Sequence, residues 1–406
     1  MIRSIGRAAA FAVCGCALGL TAAILPSGSG AGASPCAPVG AGASPRAPVG
    51  AGASLRAPAA GPSWRVTKVI AVRGDTVVMT GIDVLSAGDA WVAAVTIRIS
   101  SGAARPLLEH WNGRTWLSVP LPAQLASGLL GASAWASVAA SAPGNVWAFG
   151  AEGRYAHLSG GRWRGGRLPG TGTGNVVVYA ADVFGPADAW AFGARYGGPG
   201  DLILRPWAAH FDGRRWAQVH VPGAGGITVS AVSGDDLWAV TGVVEPGAGV
   251  TFTPTVLRWN GRAWVRAARQ PRLPRHAVAA AILAESDRDV WISGAAPNRE
   301  QGTSELASHW NGRSWTPASP HTGPADTDDA LGSLVPDGRS GIWGLGEDVP
   351  ELIWHYAGGR WAGSRVKYGW YLLQLAAVPD RTSLWALGDR RSFSQGIIIE
   401  RGPLPR

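Results

Sequence analysis

Apolar and polar residues change places in short runs along this chain. VVVYAADVF (176–184), AWAFGA (189–194), LRPWAAHF (204–211) and RRWAQVHV (214–221) follow one another, parted by GPAD (185–188), an open stretch and Asp212-Gly213. Runs of this length, rich in Val, Trp and Phe and split by Gly, Asp and Asn, predict strands joined by hairpins. The four-run unit then recurs. Outside the N-terminal segment no stretch shows the 3.6-residue stripe of an amphipathic helix.

Two tryptophan series mark the recurrence. The first follows a short polar turn, as in DAW (89–91), DAW (188–190) and DVW (289–291), and comprises Trp91, Trp147, Trp190, Trp238, Trp291, Trp343 and Trp385. The second follows a G-R-x-W or G-x-W turn, as in HWNGRTW (110–116), HFDGRRW (210–216) and HWNGRSW (309–315). It comprises Trp116, Trp163, Trp216, Trp264, Trp315 and Trp361. Members of the first series lie 42 to 56 residues apart, and four strands per period of that length predict a radial array of four-stranded sheets, a β-propeller. The last unit offers 376–378, 384–388 and 397–401 and then lacks a fourth strand, while Trp64 stands unmatched upstream in GPSWRVT (61–67). Closing the ring with that segment would remove an exposed edge. The expectation is an all-β protein: a seven-bladed β-propeller of four-stranded antiparallel blades over 63–406, with the N-terminal strand laid beside Ile397–Glu400.

The N-terminal part reads differently. Arg3 and Arg7 precede an apolar run from Ala8 to Leu25, and Ala31-Gly32-Ala33 offers a small-residue cleavage site, so 1–33 reads as a signal peptide and the protein as secreted. The alternative is a membrane anchor formed by 8–25. Residues 34–62 repeat an Ala/Gly/Pro/Ser-rich phrase that buries too little apolar surface to order itself, a linker. The cysteines are Cys14, Cys16 and Cys36, so the ring has none. Net charge is +9, but Arg3, Arg7, Arg46 and Arg56 precede every acidic residue, leaving the ring only mildly basic. That balance suits an anionic cell envelope and not nucleic acid, which needs a dense basic stripe.

Candidate chemistry is thin. His110, His157, His210, His309 and His355 share one repeat position, taken by Arg258 in the fourth unit. Equivalent positions around a ring point apart and cannot converge on one ion, so these histidines are expected to be structural, with no metal and no cofactor. The turns between strands one and two and between strands three and four lie on one face; they are short and regular, and read as construction. The opposite face carries irregular connections (96–106, 194–205, 241–255, 295–304, 268–276, 319–329, 367–371), where binding normally sits on a rigid scaffold. The candidates there are Arg269, Arg272 and Arg275 as anion contacts, Asp326, Asp328 and Asp329 as an acidic cluster, and Tyr368, Trp370 and Tyr371 as platforms.

With these motifs in hand, the sequence resembles secreted β-propellers of high-GC actinobacteria built from D-x-W…H-W-N-G-x-x-W units. The resemblance runs from Trp64 to about Arg401 and implies an architecture more than an activity. The layout is also distantly similar to kelch/galactose-oxidase-type and tectonin-like repeats. The turn at 112–116 is similar to the Asp-box of sialidase-type propellers, without its serine and first aspartate. Copper chemistry of the galactose-oxidase kind requires a ring cysteine, which is absent. Neither a G-x-S-x-G, an H-E-x-x-H nor a P-loop is present, and no catalytic residue is assigned. The expected function is a secreted, monomeric, non-catalytic propeller that binds a glycan, cell-wall polymer or extracellular protein. The alternatives are a glycoside hydrolase or lyase acting on an extracellular polysaccharide, for which Glu152, Asp182 and Asp201 are the available carboxylates, and a structural scaffold.

Overall fold

The computed structural model describes residues 64–402 except 124–125, 127–136, 173–175, 198–202, 245–251, 275, 298–302, 321–329, 347–350, 367–369, 380–382 and 391–392. The segments read as signal peptide and linker lie outside the described residues, as do Arg275, Asp326, Asp328, Asp329, Tyr368 and Asp201. The strands are β1 (Trp64–Ile70), then β2 (Asp75–Ser86), β3 (Asp89–Arg98), β4 (Ala104–Trp111) and β5 (Trp116–Val119) in blade 1. Blade 2 holds β6 (Ser137–Ala142), β7 (Asn145–Phe149), β8 (Arg154–Ser159) and β9 (Arg162–Arg167). Blade 3 holds β10 (Val176–Gly185), β11 (Asp188–Gly197), β12 (Ile203–Phe211) and β13 (Trp216–Val219). Blade 4 holds β14 (Ala224–Ser233), β15 (Asp236–Val244), β16 (Phe252–Trp259) and β17 (Trp264–Arg266). Blade 5 holds β18 (Val278–Ser286), β19 (Asp289–Pro297), β20 (Thr303–Trp310) and β21 (Trp315–Pro317). Blade 6 holds β22 (Leu331–Pro336), β23 (Ile342–Gly346), β24 (Leu352–Ala357) and β25 (Arg360–Arg365). The last three strands are β26 (Trp370–Ala377), β27 (Leu384–Arg390) and β28 (Gln395–Arg401).

Six sheets pair their strands antiparallel in chain order, and the seventh runs β26-β27-β28-β1. The chain is thus a seven-bladed β-propeller closed by its N-terminal strand. In the closure Trp64 pairs with Arg401, Arg65 with Glu400 and Val66 with Ile399. Trp64 holds the same station as the second tryptophan series, since Trp116 pairs with Trp111, Trp216 with Phe211 and Trp315 with Trp310. Two ion pairs clasp the joint. Arg65 reaches Glu400 at 2.6 Å, and Lys68 crosses to Glu109 of blade 1 at 3.1 Å, where the carboxylate is 3% exposed.

The apolar residues do not form one central core. They form seven large clusters, one in each seam between adjacent blades. The first tryptophan series fills these seams, as the repeat predicts, because a single blade cannot bury its own face. Trp190 shows the arrangement. His210 of its own blade stacks on one side at 4.4 Å, and Trp259 of the next blade meets it edge-on at 5.0 Å. Trp147 takes His157 and Phe211 in the same way, and Trp291 takes His309 and Tyr356. The closing seam follows the rule, with Trp385 of blade 7 set against Trp111 and Trp116 of blade 1.

Polar side chains also cross the seams. Most first strands carry a register shift near mid-strand. Several backbone N–H groups of a first strand are answered from the preceding blade. Ala140 donates to Asp83 at 2.7 Å, Ala284 to the Ser230 hydroxyl at 2.9 Å, Leu375 to the Ser333 hydroxyl at 2.9 Å and Ile82 to Gln374 at 3.3 Å. Buried N–H groups need such partners.

One expectation changes. The connections between second and third strands are shorter than the hydropathy suggested. Strand pairing continues to Ile97 with Ala104, Gly197 with Ile203 and Val244 with Phe252. β-forming residues continue into these segments, and pairing satisfies backbone groups that a loop would leave to solvent.

Candidate binding site

The two faces differ chemically. On the face of the short turns, Asn112 accepts the N–H groups of Arg114 and Thr115, and Asp212, Asn260 and Asn311 do the same one turn along in their blades. The two hairpin tips of a blade touch, with Trp111 donating its indole N–H to Ala87 and Trp310 to Asp287. Gly113 takes φ +87, and a Cβ there would sit 3.3 Å from the Gly88 backbone, so both the turn and the contact favour glycine.

In three D-x-W turns the aspartate holds the histidine, and in blade 6 Asp337, six residues ahead of Trp343, does the same. His110 lies 2.8 Å from Asp89, His210 2.9 Å from Asp188, His309 2.8 Å from Asp289 and His355 3.0 Å from Asp337. Asp337 also caps backbone, its other oxygen accepting N–H groups from Arg339, Ser340 and Gly341. Burial pushes its carboxyl up, but these hydrogen bonds outweigh that and leave it below the usual range. In blade 4, Arg258 replaces the histidine, bonds Asp236 at 3.2 Å and lies over Trp238. In blade 2 the acid is missing, and His157 meets Asn145 at 2.8 Å. Every ring is locked between a carboxylate or amide and a tryptophan face. No group of side chains with metal-ligand spacing exists among the described residues.

The opposite face carries a cavity of about 450 Å3 in blade 3. Its walls come from the far ends of β11 and β12, the end of β13 and the Pro222-Gly223 connection, and include Arg195, Arg205, Trp207, Gln218 and His220. Arg195 and Arg205 are direct cross-strand partners, an arrangement of like charges that costs stability. Neither meets a carboxylate among the described residues. Arg195 donates instead to the Gly170 carbonyl at 2.7 Å, in the connection entering the blade. Gly170 has φ +71, and a Cβ there would collide with Gln218 and press on Arg195.

Of the residues singled out from the sequence, Arg269, Arg272, Trp370 and Tyr371 fall among the described residues, the arginines between β17 and β18 and the aromatics on β26. Arg269 donates to the Arg313 carbonyl, and its own carbonyl accepts the Trp315 indole N–H at 3.0 Å, so it pins the β17–β18 connection to the next blade. Arg272 is exposed on that same connection. Trp370 is 8% exposed and packs in the seam between blades 6 and 7. Tyr371 is exposed, with its ring 6.3 Å from Phe393. Arg195, Arg205, Gln218 and His220 were not singled out, although the two arginines stand five residues either side of Gly200 in a Gly-Gly-Pro-Gly-Asp stretch (197–201).

Comparison with known proteins shows the class and no more. No family model matches the chain, and no curated protein matches it. Among solved structures, the chain is similar to the β-propeller domain of the Trilobed protease from Pyrococcus furiosus, at 6% identity and TM-score 0.51, over 81% of this chain and 97% of that one. It is also similar to YCF48 bound to D1 peptide, at 13% identity and TM-score 0.49, over 84% and 99% of the two chains. A third is the GH74 xyloglucanase from Xanthomonas campestris, at 16% identity and TM-score 0.49, over 82% of this chain and 54% of that one.

Proposed function

We propose that the protein is an exported, non-catalytic binding propeller that engages a cell-envelope or extracellular ligand through the face of the longer connections. The observation that carries this reading is the contrast between the faces. Turn-face aspartates, asparagines and histidines are engaged in holding the blades, whereas the opposite face opens a cavity with two arginines that meet no carboxylate among the described residues. Binding groups held on a rigid ring suit recognition. Of the carboxylates a hydrolase would draw on, Glu152 is tied to Arg167 at 3.0 Å. Export belongs to the same reading, with 1–33 removed and the mature chain starting near Ser34.

The purified ring, presented to arrays of glycans, cell-wall fractions and extracellular proteins, is expected to retain at least one of them without releasing products. Turnover of a polysaccharide would replace this reading with the hydrolase or lyase. Export is checked by N-terminal sequencing of protein from the culture medium; recovery only from membranes with Met1 intact would favour the anchor.

A further inference from the structure

We infer that the blade 3 cavity is a subsite for a uronic acid residue of an acidic polysaccharide, with Arg205 and Arg195 receiving its carboxylate. The inference rests on the proposed binding role and specifies its ligand.

The charge argument comes first. Two arginines stand directly opposite each other on β11 and β12 and both line the cavity, with no carboxylate paired to either among the described residues. Like charges directly opposite are unfavourable, and a bound anion converts that cost into attraction. Guanidinium forks match a carboxylate in plane and spacing. Arg195 is already fixed by its bond to the Gly170 carbonyl, so it loses little freedom on binding. Size comes second. About 450 Å3 lies in the range of pockets that hold a small organic molecule, far more than a bare inorganic anion needs. The remaining walls add the Gln218 amide and the His220 imidazole, which suit sugar hydroxyls, beside Pro222, which suits a ring's C–H face. Arg205, Gln218 and His220 are exposed at the rim, so a polymer can continue on either side. An acidic peptide would offer its carboxylate on a flexible arm, at a larger ordering cost than a pyranose ring.

Isothermal titration calorimetry of the whole protein with oligogalacturonate tests this, against neutral galactan, hexaglutamate and inorganic phosphate. Oligogalacturonate is expected to bind and neutral galactan not to. Arg205→Gln should weaken oligogalacturonate roughly tenfold or more, with Arg205→Lys intermediate. Arg205→Gln should not lower the melting temperature, because it relieves the like-charge pair. Arg214→Gln, on the turn face of the same blade, removes the same charge and should leave affinity unchanged. The inference is overturned if oligogalacturonate does not bind, if Arg214→Gln weakens it as much as Arg205→Gln, or if hexaglutamate or phosphate binds as tightly. If Arg205→Gln still retains an envelope ligand with unchanged affinity, the subsite is wrong while the binding role stands.

Discussion

His157 shows how much one side chain's partner matters. Four other histidines in its repeat position face an aspartate, but His157 faces Asn145. Burial, and secondarily Arg164, holds its pKa down to about 4 from the ordinary 6.5. Between those values the unfolded chain binds the proton that the folded ring refuses. The contribution is therefore full above 6.5 and is lost as pH falls toward 4. Asn145→Asp supplies the missing carboxylate and should raise the His157 pKa, which an NMR titration reads directly. The variant should also lose less thermal stability than the parent between pH about 7 and about 5. An unmoved His157 titration would refute the pairing logic.

A seam between blades can carry a pH dependence of the opposite sign. Glu285, near the end of β18, is pushed up to about 7 by burial first, and then by Asp289 of its own blade and Asp337 of the next. Here the folded state holds the proton longer than the unfolded chain does. Stability from this group is present at low pH and declines as pH rises from about 4.5 to about 7. Glu285→Gln should consequently raise the melting temperature at pH about 8 and change it little at pH about 5. Calorimetric scans at both values decide it, and a drop at the higher pH would mean that Glu285 makes a stabilising contact as an anion.

Ring closure is a property of the whole chain. β1 joins residues some 330 positions apart, with Arg65–Glu400 and Thr67–Ile398 separated by 335 and 331 residues. Removing 34–60 should leave the melting temperature nearly unchanged. Removing 34–70 takes away β1, exposes the β28 edge, leaves the Glu109 carboxylate without Lys68, and should lower the melting temperature. Thermal unfolding of the two truncations compares them; identical melting would contradict the closure as the source of stability.

The tryptophan spacing and the unmatched Trp64 determined the blade count, the seam-filling role of the first series and the strand that closes the ring. They could do so because a radial repeat must place the same residue at the same station in every blade, so local pattern and tertiary position coincide. The structural role of the histidines was legible for the same reason, but their aspartate partners were not, since Asp188 and His210 meet only once β11 and β12 pair. Sites that break the repeat were the least legible. Trp370 looked like a platform in a loop and is instead a buried strand residue, because the first strand of blade 7 begins there. The cavity with Arg195, Arg205, Gln218 and His220 draws on two paired strand ends, a third strand and a neighbouring connection. Only the pairing register, which depends on the full length of the β11–β12 hairpin, sets those two arginines face to face.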